Sequence, residues 1–206
     1  MADEDPYVYP GTSVLRNKGG ERDAARLHLL EYQATTARAA EAPAFPLTAE
    51  GYKATHRQLF QDVYEWAGET RTTDLARPGA QFARPDFVES ALRDRFRQVA
   101  AIGGFKSMDA PTFAAEAAHH ISEINAIHPF REGNGRTMRL HLEQIAHQAG
   151  HDIDLAGIEA RDWISASVAG FRGDEQPLAR VIGKAMGMTE HELGRVRDVV
   201  DRGHGR

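Results

Sequence analysis

The sequence predicts an all-α fold, a bundle of helices interrupted once by a short β-hairpin. Three observations carry that expectation. Apolar residues recur three and four positions apart along nearly the whole chain, the spacing that lines one face of a helix. Proline and glycine punctuate those runs at their ends and do not fill them. One stretch, Arg77-Pro78-Gly79, carries a turn signal flanked by segments short enough to pair as strands.

The elements follow in order. A first helix is expected over 21–40, with Ala24, Leu27, Leu30 and Ala34 as its apolar stripe. Pro43 and Pro46 mark the loop to a second, over 48–66, which buries Tyr52, Leu59, Phe60 and Val63. Residues 71–75 and 80–84 then fit two short strands. A third helix uses Val88, Leu92, Phe96 and Val99 and stops near Gly103-Gly104. Residues 111–127 read as a fourth, with Phe113, Ala117, Ile121 and Ile124 at helical spacing. Pro129 ends it, because proline disfavours the helical region for the residue before it, and Gly133 and Gly135 extend the break. A fifth helix runs from Arg136, with Met138, Leu142, Ile145, Ala146 and Ala149 on one face. Beyond Gly150, three more are expected over 159–168, over 177–186 and from Thr189. Thr189 and Glu192 form a capping-box pair there, and Leu193, Val196 and Val200 line one side. The tail from Arg202 reads as frayed. With no repeat or long linker, residues 1–206 are expected to form one domain, its core over about 8–187 and its C-terminal helix and tail over 189–206.

Composition narrows the function classes. A chain of 206 residues with 41% hydrophobic content can bury a real core. Its formal net charge of −5 supplies no general attraction to nucleic acid or anionic membrane. The arginines at 93, 95 and 97 read as a solvated helix face. The absence of cysteine excludes disulfides, thiol catalysis and cysteine-based zinc sites. Ten histidines raise a metal question, but His119 and His120 are adjacent on a helix, and Gly150 separates His147 from His151. No zinc site is therefore expected. His28 and His56 read as surface or partly buried helix residues, and Tyr64 with Trp66 as packing at the base of the hairpin. The acidic start lacks the apolar core of a secretory signal, and no run approaches the length of a membrane span, so a cytoplasmic location is the expectation.

The run from His128 to Arg139 carries the chemistry. It places a candidate base, a carboxylate, an anion-binding turn and two arginines within twelve residues. The first turn of the fifth helix leaves backbone N–H groups without intrahelical partners, and the helix dipole adds positive character there. Glycines at 133 and 135 let a phosphate approach that backbone closely. Arg136 and Arg139, three apart, project as neighbours able to clasp one polyphosphate. A carboxylate at Glu132 would repel phosphate unless a divalent cation lay between them, an arrangement usual for Mg²⁺. His128 suits the removal of a proton from an attacking hydroxyl, because an unperturbed histidine has a pKa of about 6.5.

The same residues resemble the signature of the Fic family, His-x-Phe-x-(Asp/Glu)-Gly-Asn-Gly-Arg-x-x-Arg, with every fixed position filled. Tyr9-Pro10-Gly11-Thr12 with Val14-Leu15-Arg16-Asn17-Lys18 is similar to the opening segment of many bacterial members. Tyr64-Glu65-Trp66-Ala67-Gly68 followed by Arg71 is similar to the approach to the family's β-hairpin flap. The resemblance implies a Fic-type helical bundle and protein adenylylation, the transfer of AMP from ATP to a Ser, Thr or Tyr hydroxyl of a target with release of pyrophosphate. By position, His128 resembles the general base and Glu132 the Mg²⁺ ligand. Asn134 resembles the residue that orients the α-phosphate, Gly133 and Gly135 the anion hole, and Arg136 and Arg139 the β- and γ-phosphate ligands. The flap would fall at Thr73, Asp74, Leu75, Ala76 and Arg77 and would hold the target's backbone as an added strand. Related Doc-type kinases have Ala-Asn-Lys where this chain has Gly133-Asn134-Gly135, which favours adenylylation over phosphorylation.

Alternatives remain in view: another transferase on the same scaffold, moving a phosphoryl, another nucleotidyl or a phosphocholine group, or the Fic portion of a secreted effector, with delivery into a host cell. A non-enzymatic adaptor would predict degeneration at His128 or the arginines, which is not seen. Many Fic proteins carry an inhibitory (Ser/Thr)-x-x-x-Glu-(Gly/Asn) motif whose glutamate pairs with the second motif arginine. Here Glu precedes Gly only at Glu50-Gly51 and Glu132-Gly133, with Pro46 and His128 four positions earlier, so the motif is not met. Constitutive activity and inhibition by a separate protein both remain open. Because similar single-domain members are often toxins with a cognate antitoxin, the resemblance implies a small helical antitoxin supplying a glutamate against Arg139 as the expected partner.

Overall fold

The computed structural model describes residues 5–77 and 80–203. It contains eight helices, α1 (Ala24–Ala40), α2 (Ala49–Phe60), α3 (Pro85–Ala101), α4 (Ala110–Ile127), α5 (Asn134–Ala149), α6 (Ala160–Phe171), α7 (Gln176–Ala185) and α8 (Glu190–Gly203), and two short strands, β1 (Ala76–Arg77) and β2 (Ala80–Gln81). The all-α expectation holds. Helix α4 is the centre, packed against α3, α5, α6, α7 and α8. Its composition explains that position. Phe113, Ile121 and Ile124 fill the core while Ala114, Ala117 and Ala118 let neighbouring helices come close, and all six are wholly buried. Asp109 caps its start by accepting from the Thr112 N–H, and Pro111 sits in its first turn. A second cluster, with Leu27, Leu59, Phe60 and Tyr64 among its members, joins α1 and α2 at the other side.

The stripes foreseen for α3, α5 and α8 are the buried ones, except that Ala149 at the end of α5 is only partly buried, and the Thr189–Glu192 capping box forms, each residue's N–H reaching the other's side chain. Two expectations need correction. Helix α1 begins at Ala24 and buries Leu27, Glu31 and Thr35, whereas Leu30 is 48% exposed. The reason is electrostatic: Glu31 pairs with Arg136 and accepts from the Tyr64 hydroxyl, so a polar side chain takes the core-facing place. Helix α2 stops at Phe60, six residues before Trp66. Tyr64 and Trp66 stack face to face at 4.3 Å, a contact closed to residues two apart on a helix, and the Val63 carbonyl accepts from the Lys18 N–H.

The hairpin is shorter and later than expected. Ala76 pairs with Gln81 and Arg77 with Ala80, antiparallel. Residues 71–75 are not strand because Arg71 is pulled inward and its N–H goes to the Pro129 carbonyl. The Pro78-Gly79 turn and the end of the tail lie outside the described residues. No described helix is long and apolar enough to cross a membrane.

Candidate active site

The His128 turn and the start of α5 face a cavity of about 570 Å³. His128 is the C-cap of α4 and adopts a left-handed backbone, φ 48° and ψ 63°; Pro129 after it disfavours continuation of the right-handed helix. Its Nδ1 lies 3.3 Å from the Asn125 carbonyl, which can only accept. Nδ1 therefore carries the ring proton in that bond, and Nε2 is the basic nitrogen. The imidazole stacks on Phe82 at 3.9 Å, so its plane is fixed from both sides of the turn.

Gly133 follows as the N-cap of α5, with φ 83°. It is glycine for two independent reasons: that φ disfavours other residues, and a Cβ there would sit 2.3 Å from the Phe60 ring. Gly135 is different, because a Cβ there would meet nothing in the protein. The N–H groups of Asn134, Gly135 and Arg136 form the first turn of α5, which is closed from behind by Thr137 N–H to the Gly133 carbonyl. Glu132 is half exposed at the same edge, its Oε1 accepting from the Gly133 N–H at 2.8 Å and lying 3.5 Å from Arg136.

His128, Glu132, Gly133, Asn134, Gly135 and Arg136 all line this one cavity, as do Leu75 and Ala76 from the hairpin. Thr73 and Asp74 are not among its lining residues, and the Arg77 side chain lies outside the described residues. The two arginines do not form the expected clasp. Arg136 turns to Glu31 and sits over the Phe60 ring at 4.7 Å. Arg139 lies away from the cavity lining, donating to the Leu155 carbonyl and covering the Trp163 ring at 5.6 Å. The Asn134 amide is engaged elsewhere: it accepts from the Phe130 N–H at 3.0 Å and donates to the Phe130 carbonyl at 2.7 Å. It braces the turn between His128 and the start of α5.

Sequence reasoning missed three supports. Arg71, 2% exposed, donates to the carbonyls of Ile127, His128, Thr73 and Ala83, joining the segments on either side of the hairpin to the His128 turn. Burial lowers its pKa, and α4's C-terminal carbonyls supply the compensating negative dipole. His56 was read as surface or partly buried, yet it is wholly buried, and burial pushes its pKa down to about 3. Helix α6 supplies the cavity's far wall through Trp163, Ile164, Ser167 and Val168, with Met138 beside them. Only Arg71 had a sequence signal, its place after the Tyr64–Gly68 segment.

The Fic/DOC family model matches residues 46–146. A probable protein adenylyltransferase, y4lH of Sinorhizobium fredii, is 40% identical over 183 residues, covering 87% of this chain and 94% of its own. The protein adenylyltransferase VbhT of Bartonella schoenbuchensis is 35% identical over 199 residues, covering 95% of this chain and 41% of its own. The crystal structure of the BepC effector of Bartonella tribocorum with bound AMPPNP is alike with a TM-score of 0.81 at 27% identity, covering 87% of this chain and 95% of that one. With a relative this similar matched over nearly its full length, and the fold shared, the chain belongs to the Fic/DOC family.

Proposed function

We propose that this chain is a protein adenylyltransferase, moving AMP from ATP to a hydroxyl of a target protein. The observation that carries the reading is His128: Nδ1–H is bonded to Asn125, so Nε2 is the basic nitrogen, in a cavity floored by the α5 N-terminus. The target oxygen attacks the α-phosphorus, its proton passes to His128 Nε2, and the bond to the β-phosphate breaks to release pyrophosphate. The adenylyltransferase names of the relatives and the AMPPNP in the BepC structure support ATP as donor.

The remaining roles follow the geometry. The first-turn N–H groups of α5 and the open space above Gly135 suit a phosphate. Met138, Trp163 and Ile164 offer an apolar wall for the purine. Arg136 and Arg139 are the reserve of positive charge for the outer phosphates. Asn134 acts through its brace on Phe130 as well as through its N–H. Leu75 and Ala76 place a strand edge at the cavity mouth, where the target backbone can pair. Among the described residues no three acidic or histidine side chains converge as a self-sufficient metal site. A lone half-exposed carboxylate does fit Mg²⁺, which is held by one carboxylate together with substrate phosphates. Glu132 would hold it, and when bound it would neutralise charge on the departing pyrophosphate.

Arg139 makes no close ion pair among the described residues: it donates to the Leu155 carbonyl, covers the Trp163 ring and interacts at longer range with the Glu143 carboxylate. That guanidinium suits a carboxylate delivered by a small helical antitoxin, which would restrain the enzyme in a bacterial cytoplasm. Incubation with α-labelled ATP and cell lysate, followed by mass spectrometry, tests the main reading. The expected result is label on one or few proteins and a mass gain of AMP on a hydroxyl side chain. Transfer from γ-labelled ATP in its place would establish phosphorylation and overturn it.

A further inference from the structure

Glu132 and Gly133 share a peptide whose orientation is set from beneath by α2. His56 Nδ1 receives the Gly68 N–H at 2.8 Å. An N–H can only donate, so Nδ1 is the acceptor and the ring proton is on Nε2. Nε2 in turn lies 3.1 Å from the Glu132 carbonyl and donates to it. The ring is held in plane by near-parallel stacking on Phe130 at 3.8 Å and Phe60 at 4.6 Å. One helical turn after His56, Phe60 packs directly beneath Gly133. Helix α2 therefore grips the turn twice, once by a hydrogen bond and once by contact.

That grip has a directional consequence. No peptide bond among the described residues is cis. In a trans peptide the carbonyl and the following N–H point in opposite directions. Anchoring the Glu132 carbonyl on His56, in the interior, turns the Gly133 N–H outward. There it meets Glu132 Oε1 at 2.8 Å. The path runs from His56 through one peptide plane to the carboxylate at the cavity edge.

We propose that His56 is a positioning residue: by fixing the Glu132–Gly133 peptide it holds the Glu132 carboxylate in place for a divalent cation. The functional consequence rests on Glu132 as the Mg²⁺ ligand, while the positioning itself does not. Without the His56 bond the peptide is free to rotate, the Gly133 N–H leaves the carboxylate, and Glu132 disperses over its rotamers. His56 touches neither nucleotide nor target, so its effect is on cation-dependent affinity.

Two measurements test this. In protein carrying nitrogen-15 histidine, the ring shifts of His56 at neutral pH should show the proton on Nε2 and a hydrogen-bonded acceptor at Nδ1. A proton on Nδ1 would overturn the proposal, and this measurement needs no variant. Second, binding of a non-hydrolysable ATP analogue is measured with and without Mg²⁺ in His56→Phe, which keeps the aromatic stack, and in His56→Gln, whose amide N–H reaches toward the Glu132 carbonyl. The Mg²⁺-dependent affinity should fall about tenfold in His56→Phe and recover to within about threefold of wild type in His56→Gln, with metal-free affinity changed less than about twofold in both. Equal losses with and without Mg²⁺, or a His56→Gln as weak as His56→Phe, would show a merely structural role. Wild-type protein whose affinity ignores Mg²⁺ would instead overturn the assignment of Glu132, which separates the two ideas.

Discussion

Glu31 of α1 and Arg136 of α5, 105 positions apart in the chain, form an ion pair at the flank of the cavity. The two partners are unequally placed. Glu31 is 6% exposed and also accepts from the Tyr64 hydroxyl, while Arg136 keeps about a third of its side chain in solvent. Arg136, which lines the cavity, is thus tied to α1, a helix that otherwise packs on α2.

The asymmetry predicts unequal mutational effects. Arg136→Ala leaves Glu31 charged, buried and paired only with a phenol, and should lower stability by about 2–3 kcal/mol. Glu31→Gln leaves an arginine that solvent can reach, keeps a polar group for Tyr64, and should lower it by about 1 kcal/mol. Urea denaturation of the two variants checks the order. A larger loss in Glu31→Gln would show that the arginine, not the glutamate, depends on the pair.

Arg71 makes a second prediction. Its fork satisfies four carbonyls from three segments, a geometry that a lysine's single ammonium cannot reproduce. Arg71→Lys should destabilise the protein by about 1–3 kcal/mol and Arg71→Ala by more, because buried carbonyls lose their donors. Since the same fork ties the hairpin to His128, Arg71→Lys should also raise KM for the target more than KM for ATP. Equal changes in both would separate the clamp from target alignment.

Much of this site was legible because it is local. Pro129 and Gly133 dictate their own turn, and twelve consecutive residues bring base, carboxylate and helix start together whatever the rest of the chain does. The helices with uniform apolar stripes, α3, α5 and α8, were legible for the same reason. What periodicity could not reveal were polar residues on core-facing positions whose partners are far away in sequence. Glu31 displaced Leu30 because Arg136 waits on another helix, and His56 is buried because the Gly68 N–H donates to one ring nitrogen and the Glu132 carbonyl accepts from the other. Arg95 belongs with them: foreseen in solvent, it is buried and donates to His120. The end of α2 was hidden in a side-chain stack between Tyr64 and Trp66 that no helical pattern announces.

His128→Ala should abolish transfer, by roughly 10²–10⁴-fold, while leaving affinity for an ATP analogue within about twofold, since the base acts in the chemical step. The bond from Nδ1 to Asn125 sets which nitrogen is basic, so His128→Gln should be no better than Ala: an amide can fill the space but cannot accept a proton at neutral pH. Single-turnover transfer and equilibrium binding on the same preparations separate the two quantities. Near wild-type transfer in either variant would remove His128 from the base role.

The last prediction concerns acid stability. His120 and His141 face each other Nε2 to Nε2 at 3.0 Å, wholly buried, with Arg95 Nε donating to His120 Nδ1 at 3.1 Å. Tyr52, Phe96 and Phe105 pack around them. Because Arg95 can only donate, His120 holds its proton on Nε2 and passes that bond to His141, so a further proton on Nε2 of His141 would break the chain. Burial holds His141 down to about 3, and burial with His141 and Arg95 nearby holds His120 well below its ordinary value. Both folded-state pKa values lie below those of the unfolded chain, so the unfolded state binds more protons in this window. Their contribution is complete above about pH 6.5 and is lost as pH falls, at up to about 1.4 kcal/mol per unit for each histidine. His119 works in the opposite direction: its bond to Glu175 raises its pKa, and its contribution is present below the unfolded value and lost on the alkaline side. The net expectation is a midpoint in urea that falls steeply between about pH 6 and 4.5, with a slope that His141→Gln reduces. A stability profile flat through that range in the wild-type chain would mean that the pair accepts a proton without penalty, and that the arrangement of Arg95, His120 and His141 does not require a neutral core.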